Sequence, residues 1–356
     1  MVPLVILSSE GITGGAIVHH LQKDASYKKI YALSRSDPGY KDPKLQHCAI
    51  DLQAELCRIN GTMISNFIQA LEKTGAINKL KRFILTCGFK QYSVHLGHAK
   101  QPFLEDDPVL EGEVGGETWP PNFYFTQQRI LAEAATRSKD QWDWVVTLPQ
   151  DVWATVLGLY CAICKAPPGS ELPFPGCKAG YFAFNTWTSA NLHAKFCLWA
   201  ATAKGAAKNI FNVITVTRSP GRTSGHASPA VSAARSPTLS PVRRIWASPR
   251  TLEGGVPPTL FCQINPEQWA AREDVNKTWA QVRDKYGLDQ KAWEKATWNF
   301  LTVGLGRDWS CVGTMSKARK LGWTGYADTW DELVDFFEAL EKEGILPLIG
   351  RLMSDF

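Results

Sequence analysis

The sequence predicts an α/β chain built on a doubly wound parallel sheet, followed by a mainly helical part. Two observations carry this. Apolar runs of strand length alternate with amphipathic runs of helix length through residues 1–216. The first run, Leu4 to Ser8, ends in a small-residue turn, Ser8-Ser9-Glu10-Gly11-Ile12-Thr13-Gly14, that leads into a helical pattern. Short βα units in this order give a parallel sheet, and right-handed crossovers place helices on both of its faces.

Taken in order, strands are expected at Leu4 to Ser8, Lys29 to Ser34, His47 to Leu52, Arg82 to Cys87 and Trp142 to Leu148. Helices are expected at Thr13 to Leu21, Met63 to Lys73, Phe123 to Thr136 and Val152 to Lys165. A helix over Ser189 to Ala203 and a strand over Asn209 to Ile214 complete a dinucleotide-binding core over 1–216. Residues 217–250 read TRSPGRTSGHASPAVSAARSPTLSPVRRIWASPR. Ser, Pro, Arg, Ala and Gly dominate, and such a stretch cannot bury enough to offset its ordering entropy. A low-complexity, disordered insert is therefore expected over 217–255. A helical cap over 256–350 follows, with patterns at 267–285, 290–300, 316–320 and 330–342.

Composition narrows the function. The chain has 356 residues, 44% of them hydrophobic, and a formal charge of +5 that is scattered along its length. No run of Lys and Arg is interleaved with aromatics, which argues against a nucleic-acid partner. The longest apolar stretch, Trp144 to Cys164, contains Pro149, Gln150 and Asp151, so it reads as strand, loop and buried helix, not a membrane span. The opening apolar run is short and has no basic segment before it, unlike a signal peptide. Nine cysteines are widely spread. Cys161 and Cys164 form a CxxC with no second pair at zinc spacing, so a structural thiol pair without metal is expected. A reducing, cytoplasmic setting fits this usage. Fourteen Trp, many near the end, imply an apolar-lined pocket or dense helix packing.

Several positions could carry chemistry. Gly11, Ile12, Thr13 and Gly14 lie where a turn after the first strand can bring backbone NH groups to a pyrophosphate, and Thr13 can cap the helix. Ser8 stands where the fingerprint has its first glycine, and a strand–turn–helix without a ligand fits the same residues. After the second strand, an acid would hold the ribose of NAD. Arg35 with Ser36 suits a 2′-phosphate instead, which favours NADP(H) over NAD, unless Arg35 is a solvated surface residue. Asp51 and Leu52 follow the third strand, where the adenine is commonly held. Gly88-Phe89-Lys90-Gln91-Tyr92 closes the fourth. Asn122-Phe123-Tyr124-Phe125 opens a helix, where a Tyr aided by a Lys can donate to a carbonyl oxygen, although an aromatic helix start also serves packing.

Together these motifs resemble the progesterone 5β-reductase and iridoid synthase-like enzymes, which are atypical short-chain dehydrogenases. GFKQY and NFYF match the family's Lys and Tyr segments. Pro102-Phe103-Leu104-Glu105-Asp106, Tyr160 to Lys165, Leu172-Pro173-Phe174-Pro175-Gly176, Phe211-Asn212-Val213 and Lys317 to Tyr326 match further segments, the last especially in fungal members. The resemblance implies a Rossmann-type fold and catalysis by Tyr124 and Lys90. It implies cofactor contacts at Gly11 to Gly14, Arg35, Ser36, Asp51, Leu52, Thr86 and Val152. The implied reaction is NADPH-dependent 1,4-reduction of an enone or related carbonyl in a specialised (secondary) metabolite pathway. The substrate would be a small terpenoid- or polyketide-like molecule, and the chain could form a homodimer.

The chain also departs from the family. Asp51 passes almost directly to Ile59-Asn60, so one βα unit is missing and the sheet centre should have a gap. Leu148 replaces the family's Arg, Thr86 replaces a Gln near the nicotinamide, and Val152 runs almost directly into the next helix. These losses motivate an alternative: a redox-silent cyclase, isomerase or pseudoenzyme derived from the same family.

Overall fold

The computed structural model describes residues 4–7, 30–34, 42–49, 52–97, 99–150, 153–167, 169–215, 219–220 and 262–348. In chain order the strands are β1 (Leu4–Leu7), β2 (Ile30–Ser34), β3 (Leu45–Ala49), β4 (Arg82–Thr86), β5 (Gly112–Val114), β6 (Glu117–Trp119), β7 (Asp143–Pro149), β8 (Phe184–Asn185), β9 (Asn209–Val213) and β10 (Ser219–Pro220). The helices are α1 (Leu52–Lys73), α2 (Phe123–Arg137), α3 (Ala154–Lys165), α4 (Lys178–Phe182), α5 (Ala190–Thr202), α6 (Pro266–Ala270), α7 (Glu273–Tyr286), α8 (Gln290–Glu294), α9 (Trp298–Leu305), α10 (Ser316–Lys320) and α11 (Thr329–Lys342). The contacts divide the chain into two units, residues 1–79 with 111–139, and residues 80–110 with 140–356.

The first unit holds a parallel sheet of order β1-β2-β3, in which Leu4 stands opposite Ile30 and Ile30 opposite Leu45. Helices α1 and α2 pack closely at Gly61, where an added Cβ would meet Thr126 Cγ2 at 3.1 Å and Ile130 Cδ1 at 3.3 Å. Ile64 and Ile68, three and seven residues further on, are buried on the same face of α1. α1 begins at Leu52, earlier than the expected Met63, and β3 ends at Ala49, short of Leu52. Leu52, Leu56, Ile59, Met63 and Phe67 recur at helical spacing, so the segment between Asp51 and Met63 is helix.

The second unit holds a parallel sheet of order β4-β7-β9. In the central strand Val145, Val146, Thr147 and Leu148 have no exposed surface, as a strand covered on both faces requires. Helix α5 lies against all three strands and buries Leu192, Phe196 and Ala200. Among the described residues no ladder joins β1 to β4, and each is an edge strand of its own sheet. The chain is thus an α/β protein of the Rossmann type whose parallel strands form two ladders, with helices following.

Helix α3 is buried almost all round, and the C-terminal helices wrap it. Trp269 meets Tyr160 of α3 at 4.7 Å between ring centroids, Trp279 stacks on Trp293 at 5.1 Å, and Trp293 meets Trp298 at 4.9 Å. Much of the tryptophan content therefore serves helix packing. Burial pushes the Cys161 thiol of α3 upward and that of Cys164 up to about 12. Gly176, in the LPFPG motif, sits where an added Cβ would lie 2.1 Å from the Leu305 carbonyl oxygen, so only glycine fits there. The expected helices at 267–285 and 290–300 are each broken in two. Asn276 Nδ2 donates to the Ala270 and Arg272 carbonyls, which ends α6 and starts α7 anew. α8 stops before Lys295, and α9 starts at Trp298. The expected helix at 13–21 lies outside the described residues, as does 217–255 apart from β10, which pairs antiparallel with β8.

Candidate functional site

Three sequence motifs meet in the second unit. Phe89 to Tyr92 form a 3-10 turn after β4. The buried Tyr92 ring stacks on Phe103 of the PFLED motif at 4.7 Å, and Phe89 meets both rings edge-on at 5.5 Å. The Tyr92 hydroxyl donates to Asn212 Oδ1 at 2.8 Å, and Asn212 Nδ2 donates to the Phe103 carbonyl at 3.2 Å. Asn212 belongs to the FNV motif on β9. The Lys317 to Tyr326 segment joins them through Lys317, 2.6 Å from Asp106, and just before it the Thr314 hydroxyl donates to Glu105 at 3.3 Å. Burial pushes the Glu105 carboxyl upward.

This cluster fixes the turn that carries Lys90. The Lys90 side chain is exposed, and its carbonyl accepts from the Ser93 NH at 3.0 Å. His95, just beyond, is pushed down to about 4, first by burial and then by the charge of Lys90. It is therefore neutral at pH 7. The unfolded chain binds a proton near 6.5 that the folded chain refuses until about 4. Stability is then full above 6.5 and falls as pH drops toward 4. We expect a loss of roughly 2 kcal/mol from this residue between pH 7 and 4.5. Urea titrations of wild type and His95→Gln at both values measure it, and the variant should lose less.

Tyr124 belongs to the first unit. Asn122 caps α2 and its side chain accepts the Tyr124 NH at 3.0 Å, which fixes Tyr124 in the first turn. The half-buried ring packs against Phe123 at 4.5 Å. Tyr124 and Lys90 thus sit in separate units.

Of the expected cofactor residues, Gly11, Ile12, Thr13, Gly14, Arg35, Ser36, Asp51 and Val152 lie outside the described residues. The strands that lead to three of these groups are described. β1, β2 and β3 run parallel, so the chain leaves Leu7, Ser34 and Ala49 at the same end of one sheet. That arrangement fits the adenosine half of a dinucleotide. Leu52 is the first residue of α1. Thr86 is exposed at the carboxyl end of β4, its hydroxyl 3.3 Å from that of Thr147. His193 Nε2 lies 3.0 Å from the same Thr147 oxygen, and burial pushes this imidazole downward.

A cavity of about 340 Å³ opens beyond the carboxyl ends of β7 and β9, where doubly wound sheets place their ligands. Its walls come from the starts of α3, α5 and α11 and from Thr215 after β9. Trp153 and Trp187, 4.3 Å apart between centroids, line it with Leu333 and Phe336. A buried polar network holds the wall in place. Gln150, 1% exposed, donates its NH to the Thr188 hydroxyl at 2.8 Å, and Thr186 donates to Gln150 Oε1 at 2.6 Å. Thr215 NH donates to the Trp187 carbonyl at 2.7 Å, and its hydroxyl lies 2.5 Å from that of Thr329. Ser189 caps α5 by accepting the Leu192 NH at 3.0 Å. Sequence reasoning did not single out these residues. The NTWTS run, Asn185 to Ser189, was the available signal, because a Trp flanked by hydroxyl residues and followed by a cap marks a helix entry at a strand end.

A parallel α/β sheet with a pocket at its carboxyl ends defines a dinucleotide-fold enzyme class. Comparisons with known proteins narrow it. An uncharacterized protein of Schizosaccharomyces pombe is 30% identical over 96% of this chain and 98% of its own length. Short chain dehydrogenase gsfE of Penicillium aethiopicum is 26% identical over 96% and 98%. (S)-8-oxocitronellyl enol synthase CYC2 of Camptotheca acuminata is 27% identical over 83% and 72%. The terminal R domain of the myxalamid PKS-NRPS pathway has a TM-score of 0.42 at 12% identity, over 97% of this chain and 92% of its own. No family model matches the chain. The chain belongs to the atypical short-chain dehydrogenase/reductase family of the progesterone 5β-reductases and iridoid synthases, and is an oxidoreductase of that superfamily. Among the described residues no helix is long and apolar enough to cross a membrane.

Proposed function

We propose that the protein is an NADPH-dependent reductase that adds hydride across an enone or related conjugated carbonyl in specialised metabolism. The observation that carries this reading is the joint presence of the GFKQY and NFYF motifs in a chain of this family. When bound, the cofactor supplies hydride to the substrate's β-carbon. The Tyr124 hydroxyl donates to the carbonyl oxygen as negative charge develops there, and Lys90 favours that donation and holds the nicotinamide ribose. Gly11 to Gly14 would cradle the pyrophosphate, Arg35 and Ser36 the 2′-phosphate, and Asp51 with Leu52 the adenine. Thr86 and Val152 would face the nicotinamide. The Trp-lined pocket holds the apolar body of the substrate and excludes water.

Fluorescence titration with NADPH and NADH tests this. Arg35→Ala should weaken NADPH binding by about tenfold to a hundredfold and leave NADH unchanged, because it removes only charge-assisted bonds to the 2′-phosphate. A protein that binds neither nucleotide is not this reductase, and the redox-silent cyclase would then be the better reading.

We also propose a homodimer through α1. Leu56, Ile59, Met63 and Phe67 are 46%, 47%, 62% and 52% exposed, an apolar stripe on the side of the helix away from Ile64 and Ile68. Light scattering should give a dimer for wild type and a monomer for Met63→Lys. A wild-type monomer at micromolar concentration would refute the assignment.

A further inference from the structure

Resting on the reading of the Trp-lined cavity as the substrate site, we propose that Gly304 of α9 sets how large a substrate that cavity admits, by fixing where Trp153 stands. Gly304 does not line the cavity itself. It lies behind one of the residues that do. A Cβ added at Gly304 would stand 2.7 Å from Trp153 Nε1, 3.0 Å from Cδ1 and 3.2 Å from Cε2. The pyrrole edge of the indole therefore rests directly on the glycine. The turn does not require a glycine here, because Gly304 lies in the last turn of α9 and is not one of the positive-φ glycines. The ring does require it. Trp153, 4% exposed, lines the cavity together with Trp187, 4.3 Å away between ring centroids.

A methyl group at position 304 must displace either the helix or the ring. The helix is seated. The Leu305 carbonyl, next along the chain, accepts the Cys177 NH at 3.3 Å, and Cβ atoms added at Gly176 and Gly180 would stand only 2.1 Å and 2.4 Å from its oxygen. Backbone packed so closely against backbone has no slack. The ring is held less firmly. Trp153 Nε1 is buried without a hydrogen-bond partner, and so is Trp187 Nε1. No polar bond ties either indole, and packing alone decides where they stand. The methyl therefore moves the Trp153 ring by about 1 Å before ordinary contact distance is restored. The space that can take the ring is the cavity of about 340 Å³, because the close-packed interior offers none. Lost room on that scale penalises a bulky ligand and spares a small one. Gly304 is thus a positioning residue that acts on the substrate through Trp153.

Benzylideneacetone and its 1-naphthyl analogue carry the same enone and differ by one fused ring. Each is titrated into the full-length protein by calorimetry, without nucleotide. Gly304→Ala should weaken binding of the naphthyl enone by at least about tenfold and leave benzylideneacetone within about twofold. Adding Trp153→Phe should return the naphthyl affinity to within about threefold of wild type, because the smaller ring makes room for the methyl. Trp153→Phe alone leaves α9 untouched and should raise the naphthyl-to-phenyl affinity ratio by at least about threefold. That variant decides the matter if the alanine variant does not fold. A glycine with only a structural role would lose both probes equally and regain nothing from Trp153→Phe. The proposal is overturned by that result, by an unchanged ratio in either single variant, or by a wild type that binds neither probe. Turnover with NADPH is a separate readout. A size shift in binding without NADPH oxidation keeps Gly304 in this role and removes the reductase, and NADPH oxidation without a size shift does the reverse.

Discussion

Tyr124→Phe lowers kcat by about a hundredfold to a thousandfold and leaves NADPH affinity within about twofold. The size follows from the proposed role. The phenol is the donor to the oxygen on which charge appears, and removing one such donor typically costs that much. The Phe ring keeps the helix start and its ring contact. The Asn122 cap binds the backbone NH of residue 124, not its side chain, and the edge-on contact with Phe123 needs only the ring. A folding defect is therefore not expected, and matched circular dichroism melts would establish that. Single-turnover measurement with NADPH in excess separates the chemical step from product release. A variant with wild-type single-turnover rate would remove Tyr124 from the chemistry, even if steady-state kcat fell.

Lys90 is the other residue proposed for this step. The turn that carries it is anchored by the Tyr92–Phe103–Asn212 cluster, while its own side chain reaches solvent. His95, held neutral by burial, adds no second positive charge beside it at pH 7.

Much of this was legible in the sequence because family motifs are local. GFKQY, PFLED and FNV are each continuous, and the aromatic–amide cluster of Tyr92, Phe103 and Asn212 is what their side chains build. The strands were legible because runs such as Val145-Val146-Thr147-Leu148 are short, β-branched and mainly apolar, as a covered parallel strand requires. The Trp-lined cavity was not legible. Trp153, Trp187 and Glu332 lie on three elements far apart in sequence, and alone they read as two core aromatics and a solvated helix charge. Only the packing of α3, α5 and α11 puts them on one cavity. The start of α1 was hidden because Cys48 to Leu52 looks like strand, and the helical repeat through Leu52, Leu56 and Ile59 becomes visible only when Met63 and Phe67 are counted with it. Thr86 was expected from the resemblance near a nicotinamide. Its bond to Thr147, and through that oxygen to His193, arises from the register of β4 on β7 and the position of α5, which no single segment encodes.

Arg82→Met destabilises the protein by about 2–4 kcal/mol, a larger loss than any exposed ion pair would give. Arg82 begins β4, and its side chain is 10% exposed. It forms a two-pronged pair with Asp143 of β7, Nη2 to Oδ2 at 3.0 Å, and Nη1 donates to the Ala203 carbonyl at 2.8 Å and to that of Ala200. One guanidinium therefore ties an edge strand to the central strand and also bonds two carbonyls at the end of α5, that of Ala200 and that of Ala203, which accepts from the Ala206 NH as well. Methionine keeps the length and apolar stem but none of the donors. Asp143 is then left 27% exposed without its cation, and the Ala200 and Ala203 carbonyls lose the guanidinium as a donor. Water can reach part of Asp143, which holds the cost below that of a fully buried pair. Urea denaturation at pH 7 measures it, and high salt should change the wild-type value little because the pair is shielded from solvent. Adding Asp143→Leu to Arg82→Met should recover part of the loss, since it removes the unpaired carboxylate and leaves only the carbonyls. Were the single variant to lose less than about 1 kcal/mol, the β4 edge would be held by apolar packing against α5 and not by Arg82.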